Sequence, residues 1–369
     1  MTTTGTTTTA HISVADCAAT ITSNRPAVTD WTTRYFGSWW NASLRHGAVD
    51  SSGVHVTADV HPGRCQQLAE YVEQRPDRTV TYARKALHLR EGEGSITAYG
   101  ADQVAYHVQP DGHIIIAGHD SGRVASAAAR LAREALRGQL ARDGWVLMHA
   151  SAVVRDGRAL VACGGKGAGK TSTAFQLAHA NGWSLLANDR LFARPDARGD
   201  VQVLPWPAAA ALGLGLLTAM GWYDVVADAG DKLHSSTPTE LLAAFARGAR
   251  HAMHDGEREL KAQLFPDQIA TLFRIPLATT ATVDEVLFPT VRVDAPPAVT
   301  PGGRDVNDDD TFVADIEDRY PPVFGLREPE SDEARDAVFD HLNELPRQTL
   351  TLGHDIAANS AILAALTGV

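Results

Sequence analysis

Cysteine, methionine and aromatic residues are scarce in this 369-residue chain, and each scarcity removes a class of protein. The three cysteines, Cys17, Cys65 and Cys163, are scattered without a C-x-x-C pair, so they form neither a zinc cluster nor a disulfide framework, and reduced thiols are expected. No apolar run is long enough for a bilayer. The longest, Ala208 to Leu217, is short and rich in Gly and Ala, and no membrane partner is expected. Met1 to Ala10 is a Thr-rich tail without a charged start or an apolar centre, which does not read as a signal peptide, and a cytoplasmic location follows as the expectation. Positive charge is also in deficit: 33 Lys and Arg stand against 44 Asp and Glu, a net charge of -11. Nucleic acid needs a basic field, so it is not expected as a partner.

What the chain does have is glycine in one informative place. Gly164-Gly165-Lys166-Gly167-Ala168-Gly169-Lys170-Thr171 fits G-x-x-x-x-G-K-[ST], with Ser172 following. Such a loop turns successive backbone N–H groups toward a polyphosphate, sets a Lys ammonium on the β and γ oxygens and offers a hydroxyl to Mg²⁺. The flanks agree. Ala159 to Cys163 reads as a buried strand, and Thr171 to Ala180 as a helix with Ala174, Leu177 and Ala178 on one face, stopped by Asn181-Gly182. Strand, loop and helix together aim a helix N-terminus at phosphate.

Around this loop the chain reads as α/β. Residues 1–10 form a tail and 11–122 a small α/β domain, with strands over Val80–Leu89, Ser95–Tyr99, Val104–Val108 and His113–Ala117 and a turn at Pro110-Asp111-Gly112. Residues 123–143 follow the helical period, with Val124, Ala128, Leu131, Ala135 and Leu140 on one face; Arg130, Arg133, Arg137 and Arg142 read as a solvated face of a bridging helix. Residues 144–369 form the nucleotide domain. Trp145–His149 and Ser151–Val154 lead through an Asp156-Gly157 hairpin turn into the loop-bearing strand, and Trp183–Ala187 ends in Asn188-Asp189-Arg190. Farther on, Glu240–Ala252 reads as helix, Glu285–Phe288 as a strand ending at Pro289, Ala295–Gly303 as a loop and Asn359–Leu366 as a terminal helix.

Taken in order, His149, Asp156-Gly157, the loop and Leu186-Ala187-Asn188-Asp189 resemble the core of the HPr kinase/phosphorylase-like kinases. Glu257-Arg258-Glu259-Leu260-Lys261, Val286-Leu287-Phe288-Pro289, Leu345-Pro346 and Gly353-His354-Asp355 are similar to the looser HPr-kinase-related group, which includes kinases of lasso-peptide clusters. The resemblance spans about residues 145–369 and implies an HPr-kinase-like nucleotide domain with a mixed sheet, ATP and Mg²⁺ as cofactors, and transfer of the γ-phosphate to a hydroxyl. It also implies that Arg258 and Lys261 contact the transferred phosphate. Three departures set the chain apart from true HPr kinases: Lys166 stands where the family has Ser, Asn188 replaces the first paired carboxylate, and the acidic signature motif is absent.

From chemistry alone, Gly164 to Ser172 bind the nucleotide, Lys170 offsets γ-phosphate charge, Thr171 and Asp189 hold the metal, and Asp189 or His149 is the base. Asn188 can orient a hydroxyl but cannot take its proton. The acceptor is a Ser or Thr of a peptide or protein, or an alcohol of a small metabolite such as a sugar or nucleoside; a homo-oligomer is also compatible with the chain. The competing readings are an ATP-binding regulatory switch or scaffold without transfer, and a carboxykinase-like lyase whose extra metal and carboxylate-binding residues are not visible. Asp305–Glu317 imitates a calcium loop but has Asp310 and Ile316 where Gly and Glu are needed, and His251 and His254 read as helix-surface residues.

Overall fold

The computed structural model describes residues 7–37, 39–45, 53–251, 253–254, 258–292, 295–312, 320–327 and 330–366. It divides into two compact units, Met1–Trp145 with Val313–Ser331, and Val146–Phe312 with Asp332–Val369. Both are mixed α/β, with ten α-helices among the described residues. No described helix is long and apolar enough to cross a membrane.

The first unit contains β1 (Thr8–Val14), β2 (Cys17–Ser23), α1 (Pro26–Phe36), β3 (Ser43–Arg45), β4 (Val54–Val60), α2 (Pro62–Gln74), β5 (Arg78–Tyr82), β6 (Lys85–Gly92), β7 (Ser95–Gly100), β8 (Val104–Val108), β9 (Ile114–Gly118) and α3 (Ser121–Arg142). Its sheet runs β3-β1-β2-β4-β9-β8-β7-β6-β5. Strand β4 is parallel to β2 and β9, and the other pairs are antiparallel. Side chains alternate across it: Ala105 and Ala117 meet Cys65 of α2, while Tyr106 next in sequence meets Phe324. Helix α3 packs on α1, β2, β4 and β9 as a layer of this unit.

Three sequence expectations change here. Thr8 to Ala10, read as tail, begin β1 because they pair with β2 through Thr8↔Ser23 to Ala10↔Ile21. Val80–Leu89 is not one strand but two, β5 and β6, reversed at Ala83 and Arg84, whose φ values of 53° and 65° form a tight turn without glycine or asparagine. The arginines of α3 are not all a solvated face: Arg142 is exposed, but Arg133 and Arg137 are buried because partners face them. Arg133 donates to the Tyr35 hydroxyl at 2.5 Å and Arg137 pairs with Glu330 at 3.3 Å. Glu134 on the same helix pairs with Arg327 at 3.0 Å, and Arg130 stacks on Tyr82 and Tyr320.

The second unit contains β10 (Val146–Met148), β11 (Ser151–Arg155), β12 (Arg158–Ala162), α4 (Lys170–Ala180), β13 (Ser184–Ala187), β14 (Leu191–Pro195), β15 (Val201–Pro205), β16 (Ala210–Gly213), α5 (Leu214–Ala219), α6 (Tyr223–Ala229), α7 (Thr239–Ala246), β17 (Met253–His254), β18 (Arg258–Glu259), β19 (Lys261–Leu264), α8 (Pro266–Phe273), β20 (Ala281–Val291), β21 (Ala298–Pro301), α9 (Asp332–Glu344), β22 (Arg347–Leu352) and α10 (Ile356–Leu366). Its main sheet runs β10-β14-β15-β20-β12-β11-β13, with β22 beside β20 and β21 beside β22. The loop-bearing strand β12 is parallel to β20 on one side and enters from an antiparallel hairpin with β11 on the other, turning at Asp156-Gly157.

Alternation on β12 divides the core. Ala159, Val161 and Cys163 join Val338 and Leu342 of α9, while α4 packs on β11, β12 and β13 and against α10. Phe175 of α4 meets Trp222 and Phe273, which stack at 4.0 Å. Three expectations change in this unit. Strand β20 continues through Pro289 to Val291, because β22 still pairs there after β12 has ended at Leu287. Residues 298–301 of the expected loop form β21 on that same edge. Helix α7 stops at Ala246, so His251 lies outside any helix and His254 lies in β17.

Candidate active site

The site grows from the C-terminal end of β12. The Cys163 amide still pairs with Leu287 O at 2.9 Å, after which the chain leaves the sheet at Gly164, where φ is 143°. Gly169 closes the loop at φ 107°, and a Cβ there would lie 2.9 Å from Val291 Cγ2. Only glycine accepts that backbone so close to the end of β20. Lys170 then opens α4, and its carbonyl accepts the Ser151 hydroxyl at 2.8 Å, which ties the first turn to β11.

Within the loop most backbone N–H groups lack an acceptor. Ala168 N–H pairs with Gly165 O and Thr173 N–H with Gly169 O. The N–H groups of Gly165, Lys166, Gly167, Gly169, Thr171 and Ser172 have no hydrogen-bond acceptor among the described residues. Such a run of amides at a helix start, where the partial charge is positive, is a receptor for anions. Lys170 is buried, and its Nζ donates to the carbonyls of Gly164 at 2.5 Å and Gly165 at 3.2 Å, so its ammonium lies under the same loop. Lys166 and the adjoining glycines Gly165 and Gly167 are exposed.

Strand β13 brings the acidic component. The Thr171 hydroxyl donates to Asn188 O at 3.1 Å, which sets the end of β13 beside the first turn of α4. Asn188 is buried, whereas the Asp189 side chain is half exposed. Asp189 Oδ1 lies 3.6 Å from His149 Nε2, and Oδ2 lies 3.3 Å from Arg190 Nε. Desolvation alone would push the Asp189 carboxyl up. The facing His149 imidazole, with the charges of Arg190 and Lys170, outweighs it and holds the carboxyl below its ordinary range. Asp189 is therefore an ionised acceptor in neutral solution.

Residues beyond those picked from sequence complete the wall. The Arg190 guanidinium lies 3.5 Å from the centroid of the Phe312 ring, and His149 meets that ring edge-on at 6.4 Å. His149 N–H donates to Asp310 O at 2.7 Å. Asp310, the sixth position of the calcium-loop imitation, is fully buried and accepts both Arg304 Nη groups at 2.6 Å. Nothing local in the sequence marks Arg304, Asp310 or Phe312 as neighbours of His149, since more than a hundred and fifty residues separate them.

The structure thus brings together Lys170, Thr171, Asp189 and His149 around one loop. It does not bring Lys261 there by any hydrogen bond or ion pair: that residue is exposed on β19, opposite Gly213. The Arg258 backbone lies in β18, and its side chain falls outside the described residues. Among the described residues no three His, Cys, Asp or Glu side chains gather to hold a metal. The oxygens on hand for a hard cation are the Thr171 hydroxyl and the Asp189 carboxylate, which suits an ion that takes its remaining ligands from phosphates and water. No protein-family model matches this chain, and no curated protein matches it with significance.

Proposed function

We propose that this protein is an ATP- and Mg²⁺-dependent phosphotransferase of HPr-kinase-like build, moving a γ-phosphate to a hydroxyl acceptor. The observation that carries the reading is the convergence on one loop of unpaired amides, the Lys170 ammonium and the Asp189–His149 pair. The amides of Gly165, Lys166, Gly167, Gly169, Thr171 and Ser172 bind phosphate oxygens, and Lys170 offsets charge on the transferring group. Thr171 and Asp189 would hold Mg²⁺, which would supply positive charge to offset that of the phosphates.

The acceptor hydroxyl oxygen forms a bond to the γ-phosphorus as the bond to the leaving diphosphate oxygen breaks. The hydroxyl proton passes to the His149–Asp189 pair, which orients the attacking oxygen while Asp189 keeps its negative charge close to His149. Asn188 contributes its main-chain carbonyl to Thr171, a positioning contact that any residue at that place supplies. The acceptor class is a Ser or Thr of a peptide or protein, or an alcohol of a small metabolite.

Calorimetric titration with Mg-ATP tests the reading. The wild-type protein should bind, and Lys170→Ala should lose binding or turnover by a factor on the order of 10³ while keeping its circular dichroism. Wild-type affinity and turnover in folded Lys170→Ala would overturn the assignment. Radiolabel transfer from γ-labelled ATP to peptide, sugar and nucleoside panels then names the acceptor; hydrolysis alone with every acceptor would favour a nucleotide switch.

A further inference from the structure

His149 sits where regular structure ends. Strand β10 stops at Met148 and β11 begins at Ser151, so no ladder of the main sheet fixes the residue between them. What fixes it is the segment Arg304–Phe312. Thr311 forms an antiparallel bridge with Met148, Phe312 N–H donates to Leu147 O at 3.0 Å, and Asp310 O accepts His149 N–H. The segment adds a short edge beside β10.

That edge is itself anchored on several sides. Asn343 of α9 accepts from Val306 N–H at 2.8 Å and donates to Val306 O at 3.1 Å. Arg335 reaches Asp308 at 3.0 Å, and Arg347 pairs with Asp305. At its centre the Asp310 carboxylate, with no exposed surface, is gripped by the planar fork of Arg304, whose guanidinium lies over the Phe288 ring of β20 at 4.7 Å. Asp310 also accepts Asn307 N–H at 3.3 Å. Burial chiefly, and then the Asp310 charge, pushes up the thiol of Cys163, the residue before the glycine-rich loop.

We infer that the Arg304–Asp310 pair, through Phe312, is the positioning device of the active site, holding His149 and Arg190 in register with Asp189. This rests on the reading of the site given above. A bidentate Arg–carboxylate pair has one geometry, unlike a single hydrogen bond, and the buried Asp310 cannot turn away without losing its charge partner. The same turn delivers two contacts to the site: a carbonyl to the His149 backbone and a ring that His149 meets at its edge and Arg190 at its face. Arg304, Asp310 and Phe312 touch none of the reacting atoms. Their effect is exerted through the orientation of the residues that do.

Nuclear magnetic resonance of the full chain reads this without an acceptor. The His149 ring nitrogens and the Arg190 Nε–H are assigned by comparison with Asp189→Asn. In Asp310→Asn, with the amides of β11 to β13 unshifted, the His149 ring signals should move toward their Asp189→Asn positions while Mg-ATP affinity stays within about twofold. Unmoved His149 signals in that folded variant would overturn the inference. Should Asp310→Asn fail to fold, Phe312→Leu leaves the ion pair intact and should speed exchange of the Arg190 Nε–H by about tenfold, as expected when a stacked cation is released; unchanged exchange also overturns the inference. If Arg304→Lys, which keeps charge but not the fork, matches wild type in both signals, bidentate geometry has no part. Absence of Mg-ATP binding by the wild type would sink the functional reading alone, since the His149 and Arg190 signals report positioning without nucleotide.

Discussion

At the scale of single residues, the division of labour at the end of β13 is the sharpest feature. Asn188 and Asp189 are adjacent, yet one is buried with its carbonyl on Thr171 and the other is half exposed between His149 and Arg190. The expected outcome is unequal: Asp189→Asn should abolish turnover at saturating Mg²⁺, whereas Asn188→Ala should cost about tenfold or less, because the main-chain carbonyl survives. Steady-state turnover of the two variants, measured side by side, checks this, and a silent Asp189→Asn would move the acid-base role to His149 alone. Lys166 is a second case. It is exposed on the loop tip, beside amides that have no acceptor, so it adds charge without adding geometry. Lys166→Ser should weaken Mg-ATP binding by roughly tenfold at low salt, equivalent to about 1.4 kcal/mol. The loss should shrink as ionic strength rises, since exposed charges are screened; calorimetry at two salt concentrations measures both effects.

At the scale of elements, the loop depends on the sheet beneath it. Gly169 at φ 107° leaves no room for a Cβ against Val291, so Gly169→Ala combines backbone strain with a contact that β20 must yield to. We expect destabilisation of about 1–3 kcal/mol and loss of the thermal shift that Mg-ATP gives to wild type. A melting series with and without nucleotide tests both parts, and an unchanged ATP-induced shift would show that the loop tolerates the altered backbone. This is also the scale at which sequence reading divided into success and failure. The β11–β12 hairpin, β13, β8 and the loop itself were legible because Asp156-Gly157, Pro110-Asp111-Gly112 and the glycine motif are strong local signals. The β5–β6 hairpin was not, because Ala83-Arg84 takes positive φ with no glycine to announce it. Pro289 likewise reads as a stop, and the strand passes through it because its neighbour β22 arrives from far along the chain.

At the scale of the whole molecule, the cysteines report on integrity. Cys17, Cys65 and Cys163 are all buried free thiols, and burial followed by the nearby Asp143 pushes Cys17 up to about 12. A thiol of that pKa holds only on the order of one part in ten thousand as thiolate at pH 8. Native protein should therefore be inert to a thiol reagent such as Ellman's at pH 8, and all three groups should react once urea unfolds it; rapid labelling of any one in the native state would show a local opening that the fold does not explain.

The amino-acid sequence by itself determined the α/β character of the chain, the strand, loop and helix that carry the glycine-rich motif, and the candidacy of Lys170, Thr171, His149 and Asp189. These follow from backbone conformations and side-chain chemistries encoded within a few residues of one another. Only the tertiary structure decided that Arg133 and Arg137 of α3 are buried, since the tyrosine and acid facing them come from distant segments. It alone decided that Arg304, Asp310 and Phe312 stand behind His149, and that Lys261 is linked to the loop by no polar contact. The physical reason is the same throughout: a charge's partner and a side chain's wall are set by which strands lie side by side, and strand order depends on pairing across long separations.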